Sequence, residues 1–238
     1  MKLQGKRVVF IGGSSGIGLA SAKVVAAEGA SLVLVGRSEE KLKQAQEIIN
    51  AEVEIYSVDV TQEDKVNTFF QEIGMFDHLV MTPFDSYMGS FLDLDSAAAH
   101  AVFACKFWGQ YYAAKHGAPK LSNEGSITFF SGISGRKPFE KLSAIASVNG
   151  AIEALCRTLS IELAPIRVNV IAPGLIDTPL LDSFGADVKS MVLDSAAAKS
   201  PVSRVGRPEE PAHGIVFLME NGFVNGEVLH VDGGMRFS

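Results

Sequence analysis

A glycine-rich turn near the beginning of this 238-residue chain places the strongest constraint on its fold. Apolar residues 8–11 run without a break into residues 12–18, which read Gly-Gly-Ser-Ser-Gly-Ile-Gly. Residues 19–29 then carry apolar side chains at helical spacing, so the order is a buried strand, a tight loop and a helix. A helix N-terminus has unpaired N–H groups and a partial positive charge, and glycine allows a phosphate to approach the backbone. The stretch therefore predicts a dinucleotide site rather than an ordinary strand–turn–helix, although its spacing is G-x-x-x-G-x-G.

Apolar strands and helices alternate along the rest of the chain. Further strands are predicted at residues 31–36, 53–58, 77–81, 126–130, 167–171 and 227–231. Helices are predicted to begin at the caps Ser38 and Thr61 and to span residues 96–116, 143–164 and 209–220. No linker or change in composition divides the sequence. The pattern predicts an α/β fold: a single doubly wound Rossmann-type domain over residues 1–238, with a mostly parallel sheet and helices on both faces.

The bulk composition excludes several classes of protein. The formal net charge of −6 argues against a nucleic acid or an anionic membrane surface as a partner. No stretch reaches the ~18 apolar residues that a membrane span needs, and the first residues lack the apolar core of a signal peptide. Cys105 and Cys156 have no metal-binding spacing and are expected to be buried free thiols. We therefore expect a cytoplasmic protein without a metal site.

The residues that follow each strand indicate which dinucleotide is bound, because ligands of such sheets lie at the carboxyl ends of the strands. Arg37 follows the second strand, where an NAD enzyme is expected to carry an acidic residue for the ribose 2′-hydroxyl. A guanidinium suits a 2′-phosphate instead, so the sequence favours NADP(H), unless Arg37 is only a solvated strand end. Ser14 adds a hydroxyl to the same phosphate. Asp59 either accepts from the adenine amino group or serves as a turn residue.

On these motifs the chain resembles the short-chain dehydrogenase/reductase family over essentially its whole length. The matching segments are the glycine turn 12–18, the pair Asp59-Val60, the strand and Pro-Gly turn 167–174, residues 206–210 and residues 231–234. The turn, the strand ends and the resemblance together imply a set of coenzyme-binding residues. They are Gly12, Ser14, Ser15, Gly16, Ile17, Gly18, Arg37, Asp59, Val60, Thr82, Asn149, Pro173, Gly174, Ile176 and Thr178.

The residues with which that family moves a proton are absent. The family carries a Tyr and a Lys four residues apart on one helix, a Ser after the fifth strand and an Asn on the preceding helix. Here Ile145 stands at the Tyr position, Asn149 at the Lys position and Gly132 at the Ser position, while Lys106 stands at the Asn position. No tyrosine follows Tyr112, so a shift of register does not restore the pair.

Two hypotheses about function follow. The first is an NADP(H)-dependent oxidoreductase that acts on a small carbonyl or alcohol with a non-standard proton donor. Lys106 and Ser131 are the first candidates for that donor; the further ones are Ser134, Tyr87 and Ser143, and each has an alternative reading as a surface or cap residue. Desolvation would lower the pKa of Lys106 toward neutrality. The second hypothesis is an inactive NADP(H)-binding regulator or partner subunit.

Two further expectations concern surfaces. Helices 96–116 and 143–164 are apolar nearly all round, which, with the family resemblance, predicts a homodimer or homotetramer. Residues 175–205 are expected to be irregular, with one helix at most, and to form a substrate lid. Apolar residues in and near that segment indicate either an apolar pocket or simple packing; they are Phe84, Phe139, Leu180, Leu181 and Phe184.

Overall fold

A seven-stranded parallel sheet forms the centre of the computed structural model, which describes residues 2–85 and 87–238. The strands are β1 (Arg7–Ile11), β2 (Ser31–Gly36), β3 (Val53–Ser57), β4 (Phe76–Met81), β5 (Leu121–Phe130), β6 (Arg167–Pro173) and β7 (Val228–Val231). Their order across the sheet is β3-β2-β1-β4-β5-β6-β7. The chain therefore winds outward from β1 in one direction and from β4 in the other, and the predicted α/β fold class is confirmed.

Helices connect the strands and cover the sheet. They are α1 (Gly16–Ala27), α2 (Glu39–Ile48), α3 (Glu63–Glu72), α4 (Ser96–Val102), α5 (Gly109–Gly117), α6 (Ser143–Glu162), α7 (Ala186–Lys199) and α8 (Glu209–Glu220). A π-helical segment, Phe103–Trp108, joins α4 to α5. Short 3₁₀ turns lie at Ala118–Lys120, Ile133–Gly135, Pro179–Phe184 and Met235–Phe237.

The two faces of the sheet carry separate apolar cores, as the alternation along β1 illustrates. Val9 and Ile11 belong to the core beneath α3, α5 and α6, whereas Val8 and Phe10 belong to the core beneath α1, α2 and α8. Side chains of a strand point alternately to opposite faces, so an unbroken apolar run is what a strand covered on both sides requires. This arrangement leaves the carboxyl edge of the sheet open to build a site.

The predicted helix 96–116 is confirmed in its extent, but its middle, Phe103–Trp108, is π-helical, which the sequence did not predict. A π-helical turn contains one more residue than an α-helical turn, so the side chains that follow it point in a different direction. The apolar residues of the sequence stay the same, so their periodicity does not reveal the π segment. The predicted strand bounds also change: β3 ends at Ser57, β5 begins earlier at Leu121, and β6 continues to Pro173.

The predicted helix caps have different outcomes. Ser38 is confirmed as a cap, since its side chain accepts a hydrogen bond from the Lys41 backbone nitrogen at 3.3 Å. Thr61 is wrong as a cap because α3 begins at Glu63 and the Thr61 hydroxyl donates to Asp59 Oδ1 at 2.8 Å. The Asp59 carboxylate also accepts from the Thr61 backbone nitrogen, so this aspartate organises the turn.

The segment 175–205 contains one α-helix, the 14-residue α7, as the prediction allowed, and the 3₁₀ turn Pro179–Phe184. Both cysteines are buried free thiols, as expected, and burial raises the pKa of each to about 12. Among residues 2–85 and 87–238, no helix has the length and apolar character needed to cross a membrane.

Candidate active site

One cavity of about 1040 Å³ opens at the carboxyl edge of the sheet. Residues that directly follow five of the strands line it, namely Gly12, Arg37, Thr82, Ser131 and Gly174. Parallel strands bring these positions together because all their carboxyl ends meet at the same edge. We call the part around residues 12–18, Arg37 and Asp59 the coenzyme end, and the part around Lys106, Ser131, Ile145 and Asn149 the reaction end.

All residues predicted to bind coenzyme line this cavity, although their contacts with a coenzyme stay a prediction. In the glycine turn, neighbouring backbone segments lie so close together that side chains would not fit between them. A Cβ added to Gly18 would lie 2.1 Å from the Gly12 carbonyl oxygen, and one added to Gly12, whose φ is +87°, would lie 2.9 Å from Thr82. Helix α1 begins at Gly16 without a side-chain cap, so its first N–H groups are free for an anion.

Arg37 lies on the rim of the coenzyme end and is paired with a residue that the sequence did not indicate. Its Nη2 and Nη1 donate to the two oxygens of Asp85 at 2.7 and 3.1 Å. This hydrogen bond is the largest cause that raises the pKa of Arg37. Asp85 lies 48 residues further along the chain, on the loop after β4, and thus occupies the guanidinium face that would receive a phosphate.

Lys106, in the π segment, is the central residue of the reaction end. The residue is only 2% exposed, and its Nζ donates to the Ser131 carbonyl oxygen at 2.9 Å. The Nζ also lies 4.8 Å from the centre of the Phe84 ring and 5.2 Å from that of Phe130. Burial lowers the pKa of Lys106 to about 7, which agrees with the direction predicted from the sequence.

Gln110 holds the π segment in place, and sequence analysis did not identify it. Its Nε2 donates to the Lys106 carbonyl oxygen at 2.7 Å and to the Phe130 carbonyl oxygen at 3.1 Å. Its Oε1 accepts from the Phe130 backbone nitrogen at 2.8 Å. Gln110 thus forms hydrogen bonds with the backbone of Phe130 at the end of β5, beyond the residues that pair with β4. Its bond to the Lys106 carbonyl oxygen also holds the turn that carries Lys106 next to that strand.

The face of α6 toward the reaction end carries no proton-transfer side chain at the expected positions. Ile145 is 7% exposed and packs in the core. Asn149 Nδ2 donates to Ser134 Oγ at 2.8 Å, while its buried Oδ1 has no hydrogen-bond partner among the residues described. A Cβ at Gly132 would lie 3.2 Å from Asn149 Nδ2, so Asn149 takes space next to the position of the family's serine.

Only some of the other candidates for the proton donor lie in the wall of the cavity. Ser131 and Ser134 line the cavity, whereas Tyr87 and Ser143 are not among its lining residues. The Ser131 hydroxyl donates to Glu153 Oε1 at 3.4 Å, and Glu153 is a buried carboxylate paired with Arg136 Nε at 2.8 Å. Ser131 therefore faces Lys106 with its carbonyl oxygen and directs its hydroxyl to a different partner. No cluster of three metal-ligating side chains occurs among residues 2–85 and 87–238.

Comparison with known proteins places this arrangement in a family. A family model described as enoyl-(acyl carrier protein) reductase matches residues 12–236. The short-chain dehydrogenase/reductase ATR9 of Stachybotrys chlorohalonatus is 34% identical, with 98% of this chain and 97% of that protein covered. The solved structure of a small-chain dehydrogenase in complex with NADPH is 34% identical, has a TM-score of 0.85, and covers 98% of this chain and 99% of that one.

The structure of the MalC reductase/Diels-Alderase of Malbranchea aurantiaca superposes with a TM-score of 0.93 at 28% identity, over 100% of this chain and 98% of that one. These similarities extend over nearly the whole length of each protein, and the parallel sheet, the glycine turn and the cavity agree with them. The chain therefore belongs to the short-chain dehydrogenase/reductase family of oxidoreductases.

Proposed function

We propose that this protein binds NADP(H) and transfers hydride between it and a carbonyl or alcohol, with Lys106 as the proton donor in place of the family's tyrosine. The observation that carries the proposal is the position of a buried amine with a pKa of about 7 in the wall of the reaction end. A general acid is most effective when its pKa lies near the working pH, and a lysine reaches that range only when it is desolvated.

The residues around the cavity fit a dinucleotide. The glycine turn and the uncapped start of α1 provide backbone N–H groups for a diphosphate. Arg37 provides a guanidinium for a 2′-phosphate, and a relative of 34% identity is described in complex with NADPH. The unpartnered Asn149 Oδ1 provides a buried acceptor for a hydroxyl donor, which the nicotinamide ribose carries. Asp59, already bound within its turn, retains the role of shaping the adenine side.

In the direction of reduction, the carbonyl carbon would receive its hydride from NADPH held by these residues. Protonated Lys106 donates one proton to the carbonyl oxygen as the C=O π bond breaks, and the product is an alcohol. The Ser131 carbonyl oxygen orients the ammonium by accepting its hydrogen bond. Burial stabilises the neutral amine that remains, because desolvation penalises the charged form. The rings of Phe84 and Phe130, 4.8 and 5.2 Å from Nζ, shield the amine from water.

A direct test measures binding and turnover separately. Calorimetry with NADPH and with NADH reports the coenzyme, and absorbance of NADPH with a panel of aldehydes and ketones reports the reaction. We expect tight NADPH binding and oxidation of NADPH by at least one carbonyl. Binding without turnover across the panel would contradict the enzymatic proposal and favour the inactive regulator. Absence of binding would contradict both.

The predicted homodimer or homotetramer is part of the same proposal. Aromatic side chains of the π segment and α5 stack on one another at the surface, with Trp108 and Tyr112 centroids 5.7 Å apart. Trp108 is 44% exposed, which a second copy of the chain would cover. Light scattering should give two or four times the 25.4 kDa mass of one chain; a mass of 25.4 kDa would refute the prediction.

Residues 175–205 are proposed as the substrate lid.

A further inference from the structure

Helix α7 has an unusual relation to the rest of the molecule. None of its 14 residues is buried, although the helix is not polar all round. The positions that line the cavity follow one helical stripe; they are Val188, Met191, Val192, Ser195, Ala196 and Lys199. A globular protein normally covers such a stripe with its own core. Here the stripe faces the open cavity, and Met191 remains 71% exposed.

The segment before α7 continues this apolar wall. Leu180 and Phe184, in the turn Pro179–Phe184, line the cavity and are 43% and 39% exposed. Lys189 bonds Asp177 and Asp182, each at 2.8 Å, and so ties the first part of α7 to that turn. The wall is therefore held in position over the cavity, while the apolar side chains of Leu180, Phe184 and Met191 stay largely exposed.

The opposite side of the reaction end is also apolar. Phe84, Phe139, Leu142 and Ile145 line it, and Ile145 replaces a hydroxyl-bearing residue of the family with a hydrocarbon. The total volume of about 1040 Å³ includes the coenzyme end, so a substrate would occupy the part that lies between these two walls. Only apolar surface on the ligand would recover the hydrophobic stabilisation that these two walls forgo.

Charge in the cavity limits the ligand further. Lys106, Lys137 and Lys199 all line it, whereas Asp59, at the coenzyme end, has the only acidic side chain among the described residues that do so. A cationic ligand at the reaction end would therefore meet amines and no acidic side chain in the lining, which costs free energy in a partly desolvated site.

We propose that the substrate is a bulky, predominantly apolar carbonyl compound without positive charge, whose body packs between α7 and the Phe84–Ile145 wall. This inference rests on the proposed function for the carbonyl, but its apolar recognition stands on the cavity alone. A small polar carbonyl would reach Lys106 but would leave the stripe of α7 in water.

The neutral fluorescent probe N-phenyl-1-naphthylamine tests this recognition in the full chain without coenzyme. We expect saturable fluorescence enhancement, and about tenfold or greater weakening by Met191→Glu, which puts a carboxylate on the cavity stripe. Ser190→Glu is the matched control, because Ser190 is exposed on the same helix and outside the cavity lining, and it should leave probe affinity unchanged. A quaternary ammonium derivative of the same aromatic body should bind more weakly than the neutral probe.

Several outcomes would overturn the inference. Non-saturable fluorescence, equal effects of Met191→Glu and Ser190→Glu, or preference for the cationic derivative would each contradict it. Thermal unfolding of both variants establishes that they fold. Because the probe assay needs no coenzyme, failure of NADPH binding with normal probe binding would refute the proposed function and leave the apolar site intact. Turnover of small aldehydes without probe binding would do the reverse.

Discussion

The two ends of the cavity are built from different parts of the chain. At the coenzyme end, the shape depends on backbone: a Cβ added to Gly12 or Gly18 would lie only 2.9 or 2.1 Å from neighbouring atoms, so these positions have no room for a side chain. At the reaction end, the chemistry depends on side chains, and there the amine and the amide have exchanged helices relative to the family pattern. Lys106 lies on the π segment and Asn149 on α6.

This difference shows why one end keeps the family motif while the other departs from it. A backbone cradle fails when any of its glycines gains a Cβ, so it has few alternatives. A side-chain site only needs a suitable group at a suitable point, and in the proposed function the amine of Lys106 would meet that need from the neighbouring helix. The π segment, anchored by Gln110, carries Lys106 and places it against Ser131. π-Bulges of this kind are frequent at functional sites.

The largest expected effect comes from removing the amine at the reaction end. Lys106→Met should lower kcat by about 100-fold to 10,000-fold because the general acid is lost, while calorimetry should detect unchanged NADPH affinity. The methionine fills similar space, and the variant should unfold at a higher temperature, since no buried amine must lose its proton or its hydration. If Lys106→Met kept its kcat, or lost NADPH affinity as strongly as it lost kcat, the separate roles of the coenzyme end and the reaction end would be contradicted.

Charge reversal at the coenzyme end should give the opposite division of effects. Arg37→Glu should weaken NADPH binding by about tenfold to 100-fold, because charge-assisted hydrogen bonds to a 2′-phosphate are lost. NADH, which lacks that phosphate, is the matched ligand and should lose much less affinity. If calorimetry gave the same loss for both coenzymes, Arg37 would have no role in recognising the phosphate.

The pH dependence of the reaction sharpens the assignment of Lys106. Its folded-state pKa is depressed to about 7, so the amine is protonated below that pH and neutral above it. The rate of carbonyl reduction should therefore fall as pH rises above about 7, approaching about tenfold per pH unit. The rate of alcohol oxidation should rise with pH up to about 7 and level off above it, because the neutral amine is then the base. A flat profile, measured with saturating coenzyme, would assign the proton to another group.

The smallest expected effect concerns Asp85, which competes for the guanidinium of Arg37. Asp85→Asn should strengthen NADPH binding by about threefold to fivefold, because an ion pair of this exposure is worth at most about 1 kcal/mol. Affinity for NADH should stay the same, which serves as the control. Weaker NADPH binding in this variant would mean that Asp85 helps to position Arg37 instead of competing with the phosphate.

Much of the architecture is legible in the sequence because it depends on local properties. Apolar runs and glycines in sequence order predict the strands, the turn at residues 12–18 and the doubly wound fold, and all are present. Element bounds and caps were less predictable. The Thr61 hydroxyl donates to Asp59 instead of capping a helix, and the π segment does not alter the pattern of apolar residues. The loss of the Tyr and Lys positions is a matter of residue identity and also needs no structure.

The sequence by itself determined the fold class, the family motifs at the coenzyme end and the absence of the usual proton donor. Only the tertiary structure decided that Lys106 is buried, that Asp85 covers Arg37, and that α7 directs its apolar stripe into the cavity. The physical reason is that desolvation and pairing depend on neighbours supplied by separate elements. Lys106 takes its surroundings from the loop after β4 and the end of β5, and no local pattern around residue 106 contains that information.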